Sequence, residues 1–153
     1  MYFVDRNKIN STLVYMNSLI QLLEDKQDWT SNKIDQLALE RIALNIIESV
    51  IDVGNSMIDG FIMRDPGSYD DIIDILNDEK VITNEMDTPM KNVIQLRKML
   101  VRDFINIDYD ILSTTMLTHI NELKEFPKKI EHYLAHELGP VSAFLPEGSN
   151  DKL

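Results

Sequence analysis

Several residue types and patterns are missing from this sequence, and each absence excludes a class of protein. Cysteine does not occur among the 153 residues, so disulfide bridges, thiolate metal sites and a cysteine nucleophile are excluded. No stretch approaches the roughly 18 uninterrupted apolar residues that a membrane-spanning helix needs. The first residues lack the basic and apolar regions of a signal peptide. We therefore expect a cytoplasmic protein from a reducing compartment, with no membrane partner.

Strand patterns and positive charge are also scarce. No segment alternates apolar and polar residues for long enough to predict a β-strand. The formal net charge is −11, and such a field repels phosphate backbones at long range, which disfavours a general nucleic-acid-binding surface. The charge is compatible with a small local basic site and with a basic partner.

Apolar residues instead recur at the three- and four-residue spacing of helices that are buried on one side. The first stripe runs from Ile9 to Leu23 and follows Asp5, a predicted N-cap. A second helix, from about 33 to about 63, is apolar on two faces and is therefore predicted to be central; we expect it to weaken near Gly60. Its faces carry Leu37, Leu44, Ile47, Ile51 and Ile58 on one side, and Ile34, Ala38, Ile42, Ile46, Val50 and Val53 on the other.

Capping and turn residues divide the rest of the chain. After a turn at 64–67, Ser68 is predicted to cap a short helix, and a loop around 77–87 leads to Thr88-Pro89 as the start of the fourth helix. Val93, Leu96, Leu100 and Phe104 are predicted to face the core from that helix.

The last predicted helical segment begins near Asp108, is broken or kinked at Pro127, and stops at Gly139-Pro140. The predicted fold class is all-α, an up-and-down antiparallel bundle of five to six helices. We expect residues 1–140 to form one domain and residues 141–153 to form a partly disordered tail.

Two sequence features could hold a metal or a phosphate, but neither has the full pattern. His132 and His136 lie one helical turn apart, yet a zinc-protease motif needs a glutamate where Tyr133 stands. No histidine follows a glutamate by three residues, as di-metal bundles require. The stretch 65–68 lacks the lysine of a phosphate-binding loop. We predict no metal and no cofactor, and interpret 65–68 as a turn with a helix cap, or else as a surface specific to its family.

Basic residues cluster in one place in this acidic chain. Lys91, Arg97, Lys98 and Arg102 occupy one predicted helix, and Arg97 and Arg102 share one flank of it. The cluster is a candidate anion-binding site; the alternative is a solvated face whose cations pair with carboxylates.

The stretch from Gln95 to Phe104, followed by Ile107-Asp108, resembles the HepT-like family of the HEPN superfamily. The similarity extends over about residues 5–138, and 52–69 looks like a Firmicute-type branch of the family. Members are bacterial helical proteins, typically homodimers, and many are ribonuclease toxins encoded beside a minimal nucleotidyltransferase antitoxin. The resemblance implies this fold, homodimerisation, an RNA or nucleotide ligand and an antitoxin partner.

The family motif consists of an arginine, four residues, a histidine, one residue and a tyrosine. Arg97 stands at the arginine position, Lys98 at a usual asparagine, Arg102 at the histidine and Phe104 at the tyrosine. The resemblance places the catalytic roles at Arg97, Arg102 and Phe104: phosphate neutralisation, assistance of transfer from the ribose 2′-hydroxyl, and acceptance of a nucleotidyl group. Arginine stays charged and cannot shuttle protons near neutral pH, and phenylalanine has no hydroxyl.

Three functions therefore compete. The leading hypothesis is a non-catalytic or weakly active HepT-like homodimer that binds an anionic ligand, RNA or a protein partner at Arg97 and Arg102. The second is an active ribonuclease toxin that uses altered residues and is neutralised by a nucleotidyltransferase antitoxin. The third is a purely structural interaction module.

Overall fold

Six α-helices make up residues 3–139, the part of the chain that the computed structural model describes. They are α1 (Arg6–Asp25), α2 (Lys33–Gly60), α3 (Tyr69–Asp78), α4 (Asn84–Val101), α5 (Tyr109–Thr118) and α6 (Ile120–Leu138). No strand occurs in this range, and none of its helices is long and apolar enough to cross a membrane. The prediction of an all-α bundle of five to six helices is confirmed. The expected helix stop at Pro140 and the expected tail at 141–153 lie outside the described residues.

Side-chain caps begin four of the helices. Asp5, Asn32, Ser68 and Asp108 each accept a hydrogen bond from the backbone N–H three residues later. Such caps satisfy N–H groups that have no partner within the first helical turn. The capping roles predicted for Asp5 and Ser68 are confirmed.

The central position predicted for α2 is confirmed, because α2 packs against α1, α3, α4 and α5. It ends at Gly60, where weakening was expected. The burial predicted for its first two turns is wrong: Ile34 is 75% exposed and Leu37 is 48% exposed. Periodicity marks both as core residues, but within 3–139 no helix covers their side of α2.

The loop between α3 and α4 is shorter than predicted, because α3 extends to Asp78 and α4 begins at Asn84. Helix α4 begins at Asn84, so Pro89 lies within the helix rather than at its first position. Met86 and Met90 are buried on the core side, and this packing offsets the roughly 3 kcal/mol that proline costs in a helix interior. Tertiary burial therefore sets the helix start at Asn84, more than one turn before the start at Pro89 that local propensity predicts.

Of the break or kink predicted at Pro127, the break does not occur. Pro127 is buried inside α6, and the helical segment is interrupted instead at His119, between α5 and α6. Gly139 ends α6 with a φ of 78°, a left-handed conformation that glycine adopts without strain.

A glycine sets the distance between α2 and α3. A Cβ atom added at Gly54 would lie 2.5 Å from Ile72 Cγ2, so only a residue without a side chain allows this approach. Ile72 is itself buried on the core side of α3. The contact fixes where α3, and therefore its first residue Tyr69, lies relative to the bundle.

Candidate functional site

A cleft of about 510 Å³ separates the start of α3 from the second half of α4. It is lined by Ser68, Tyr69, Asp70, Ile94, Gln95, Arg97, Lys98 and Arg102. Three of the four predicted cationic residues meet here, although the protein as a whole carries a net charge of −11. The cleft is therefore a local basic site on an acidic molecule.

Arg97 is held on two sides. Its Nε donates a hydrogen bond of 2.6 Å to Glu48 Oε1 of α2, and its guanidinium carbon lies 4.8 Å from the centroid of the Tyr69 ring. The hydrogen bond to Glu48 raises the pKa of Arg97. Within residues 3–139 no protein group accepts from its two Nη atoms, so the guanidinium is positioned but retains donors for a ligand.

Lys98 and Arg102 are exposed beside it. Neither forms an ion pair with any carboxylate of the described chain. Arg102 follows the last residue of α4, and its backbone N–H bonds to the Lys98 carbonyl. These two cations are therefore available to an anion without first releasing an internal partner.

Lys91, the fourth predicted cation, lies outside the cleft. Its ammonium group pairs with Asp74 of α3 and, at 2.8 Å, with Asp87 on its own helix. The hydrogen bonds that Lys91 donates to Asp74 and then to Asp87 raise the pKa of Lys91. For Lys91, therefore, the alternative interpretation of the basic cluster holds: the cation pairs with carboxylates and is not part of an anion-binding site.

Phe104 does not reach the core of the bundle, contrary to prediction. Helix α4 ends at Val101, and Phe104 is 62% exposed in the turn that follows. The N–H groups of Arg102 and Asp103 both bond to the Lys98 carbonyl, which closes the last turn of the helix. Phe104 is consequently close in sequence to the cleft residue Arg102 but does not line the cleft.

Tyr69 is a cleft residue that the sequence did not single out. The preceding turn is fixed by Arg64, which donates two hydrogen bonds to Asp71, at 2.7 and 2.8 Å. The Gly67 N–H donates to the same carboxylate, and Arg64 followed by Gly67 lowers the pKa of Asp71 to about 2. The capping signal at Ser68 locates this turn in the sequence, but nothing local indicates that it lies against α4.

The two helical histidines remain separate from the cleft. The rings of His132 and His136 are nearly parallel, with centroids 6.3 Å apart. Throughout residues 3–139, no group of three or more His, Cys, Asp or Glu side chains is arranged to hold a metal ion. The pair thus has no third ligand in the described chain.

Comparison with known proteins establishes the family to which this chain belongs. Residues 12–130 match the family described as Ribonuclease HepT-like. The chain therefore belongs to the HepT-like family.

One relative is the YutE protein of Bacillus subtilis (strain 168), which is named as a proposed RNase. The two chains are 51% identical over 144 residues, which cover 94% of this chain and 99% of YutE. A solved structure of YutE, described as a cytosolic protein of unknown function, superimposes with a TM-score of 0.90 and covers 94% of this chain and all of that one.

A more distant structure shows the fold alone. It is the tri-AMPylated HEPN toxin of Shewanella oneidensis in complex with an MNT antitoxin, with a TM-score of 0.68 and 22% identity. The match covers 82% of this chain and 95% of that toxin.

Proposed function

We propose that this protein is a HepT-like homodimer that binds single-stranded RNA in the cleft of Arg97, Lys98 and Arg102, with weak or no nuclease activity. The observation that carries the proposal is the convergence of three cations in one cleft of an acidic molecule. Because the rest of the surface repels polyanions, such a local site favours a short stretch of backbone over a long duplex.

The orientation and exposure of the three cationic side chains suit them to bind a phosphate group. Arg97 presents two Nη donors in a fork that suits a phosphate group, and Glu48 fixes its orientation. Lys98 and Arg102 are exposed and line the same cleft, so they add charge without a fixed geometry. A positioned guanidinium loses less side-chain entropy on binding than a free one.

Weak catalysis is expected because the cleft contains no imidazole. The residues that line it are cationic, aromatic, aliphatic, amide-bearing or, at Ser68, hydroxyl-bearing. The one carboxylate among them, Asp70, accepts a hydrogen bond from Gln95 at 3.1 Å. An Arg at the usual histidine position stays protonated and cannot accept the 2′-hydroxyl proton. Loss of a general acid–base group typically lowers a rate by about 10²–10⁴-fold.

An exposed apolar face beside the cleft supports dimerisation. Helix α2 contributes Ile34 and Leu37, and the end of α4 with its following turn contributes Val101, Phe104 and Ile105, which is 85% exposed. Leu37 and the α4 residue Leu100 line one shallow depression, so the two parts of this apolar face adjoin. We propose that a second copy covers the apolar face and brings a second cleft nearby.

A nucleotidyltransferase-type protein is proposed as a further partner. The support is similarity of fold to HEPN toxins that were solved together with antitoxins. Co-purification after co-expression with any neighbouring nucleotidyltransferase gene tests this partner. A stable complex supports the assignment, and separate elution of the two proteins contradicts it.

RNA binding is tested by fluorescence anisotropy with a labelled single-stranded oligonucleotide. We expect the Arg97→Ala, Arg102→Ala variant to bind at least tenfold more weakly. We also expect it to show a shallower salt dependence, by about 0.7 in logarithmic slope per lost contact. The matched control is Lys91→Ala, which removes a cation outside the cleft and should leave the affinity unchanged. Equal loss in the control, or no loss in the double variant, contradicts the proposal.

The same samples separate binding from catalysis. Incubation of the wild-type protein with RNA should leave the RNA intact or cleave it slowly. Rapid cleavage that the double substitution at Arg97 and Arg102 abolishes would instead establish the active ribonuclease.

Dimerisation is tested by light scattering at micromolar concentration. The Phe104→Ser, Ile105→Ser variant should be monomeric, because the charge-free polar side chains remove apolar area from the interface. Val14→Ser is the matched control, since Val14 is 63% exposed on α1 and lies outside the apolar face. A monomeric wild-type protein would rule out the shared interface.

A further inference from the structure

Tyr69 is an aromatic side chain in the cleft without a packing role in the core. It is the first residue of α3 and is 45% exposed although Arg97 lies over its ring. Within residues 3–139 no hydrogen bond reaches its hydroxyl. A large part of the ring is therefore open to a ligand that enters the cleft.

The ring is held in place from the backbone side. Ser68 caps α3 by accepting from the Asp71 N–H, and Arg64 and the Gly67 N–H hold the Asp71 carboxylate. A platform that is ordered before binding costs little conformational entropy when a ligand stacks on it.

Cations and an open aromatic ring together define a particular ligand chemistry. Proteins that bind single-stranded nucleic acids combine a basic groove, which follows the phosphates, with aromatic rings on which bases stack. Inorganic phosphate would use the cations alone, and duplex RNA keeps its bases paired and stacked internally.

We propose that Tyr69 stacks on a nucleobase whose flanking phosphate is bound by Arg97, Lys98 and Arg102. The inference rests on the proposed RNA-binding function and adds to it: the cleft selects unpaired nucleotides over bare phosphate and over duplex. Arg97 serves both parts of the ligand, since it contacts the ring of Tyr69 and retains Nη donors for the phosphate.

A structural role for Tyr69, as a support that only orients Arg97, predicts different behaviour. If the ring acts only through Arg97, its removal weakens every phosphate-bearing ligand to the same extent. If it stacks on a base, its removal weakens only ligands that carry a base at that position. Abasic RNA, which keeps the ribose-phosphate backbone, distinguishes the two roles.

The experiment compares Tyr69→Leu and Tyr69→Phe with the wild-type protein. The probes are one labelled single-stranded RNA, the same strand with abasic positions, and its duplex. The wild-type protein should prefer the intact single strand to both other probes. Tyr69→Leu should bind the intact strand about 5- to 100-fold more weakly, the range expected for loss of one stacked base. It should bind the abasic strand within twofold of wild type, with an unchanged salt slope. Tyr69→Phe should retain wild-type affinity.

Two outcomes overturn the stacking role while phosphate binding stands. One is equal wild-type affinity for intact and abasic strands; the other is equal weakening of both strands by Tyr69→Leu. Failure of the wild-type protein to bind either strand overturns the RNA-binding function as a whole, and the stacking role with it. The wild-type comparison needs no variant, so it can overturn the stacking role even if the Tyr69→Leu protein misfolds.

Discussion

Helix propensity and core packing predict opposite effects of Gly54→Ala on the stability of the protein, so this substitution distinguishes between them. Replacement of an interior helical glycine by alanine stabilises a helix by about 1 kcal/mol. In this structure, however, the new Cβ would lie 2.5 Å from Ile72 Cγ2 and 3.6 Å from Leu76 Cδ1. The first distance is far inside van der Waals contact. The Ile72 methyl group is attached to a branched Cβ in a buried side chain, so it cannot move aside alone.

The magnitude follows from these two effects. Overpacking of a buried site typically costs about 1–3 kcal/mol, and the propensity gain offsets about 1 kcal/mol of that. We expect a net decrease of up to about 2 kcal/mol in the free energy of unfolding, equivalent to several degrees in Tm for a chain of this size. Relief of the clash would shift α3 and therefore Tyr69, so RNA affinity should decrease as well.

Urea unfolding followed by circular dichroism measures the change. Gly67→Ala is the matched control, because its Cβ would meet only Asp71 Oδ2 at 3.7 Å, in an exposed turn. It should change the free energy of unfolding by less than about 0.5 kcal/mol. In an Ile72→Ala background, where Cγ2 is absent, Gly54→Ala should become neutral or stabilising. A stabilised Gly54→Ala protein in the wild-type background would refute the reasoning.

Three further predictions concern ion pairs and the N-terminal segment. Asp71→Asn should lower Tm at neutral pH, and the difference from wild type should disappear as the pH falls from about 4 to about 2. The reason is that Arg64 depresses the pKa of Asp71 from 3.8 to about 2, so its stabilising charge is lost below that value. Lys91→Met should lower the free energy of unfolding by about 1 kcal/mol, the usual scale for partly exposed ion pairs, without any change in RNA affinity. Gly60→Ala should destabilise the protein by about 1–3 kcal/mol, because its Cβ would lie 2.9 Å from the Phe3 carbonyl oxygen.

Each of these has a measurement that can contradict it. In thermal melts across the acid range, Asp78→Asn should lower Tm less than Asp71→Asn does, because the Asp78 carboxylate is 3.8 Å from Arg64. An equal decrease in Tm for both variants would contradict the stronger pairing of Asp71 with Arg64. A loss of RNA binding in Lys91→Met would place Lys91 in the site after all. A Gly60→Ala protein as stable as wild type in urea would show that the backbone at Phe3 moves away freely.

The fold was predictable to the extent that its signals are local. Capping side chains and helical periodicity depend on neighbours within one or two turns, so Asp5, Ser68 and the central α2 were predicted correctly. The errors occur where distant packing overrides these signals. Pro127 lies inside a helix and is buried there, and Pro89 lies inside a helix between the buried Met86 and Met90. Ile34 is exposed because nothing in the described chain covers it.

The candidate site shows the same division more sharply. The sequence by itself determined the all-helical class, the family resemblance and the presence of a basic cluster with arginine and phenylalanine at motif positions. Only the tertiary structure decided that Lys91 is paired with carboxylates, that Lys98 and Arg102 have no such partner within residues 3–139, and that Tyr69 meets Arg97. Whether a charge is free depends on which carboxylates the fold brings within about 4 Å of it. That distance is set by how α3 packs on α2 and α4, which no local pattern encodes.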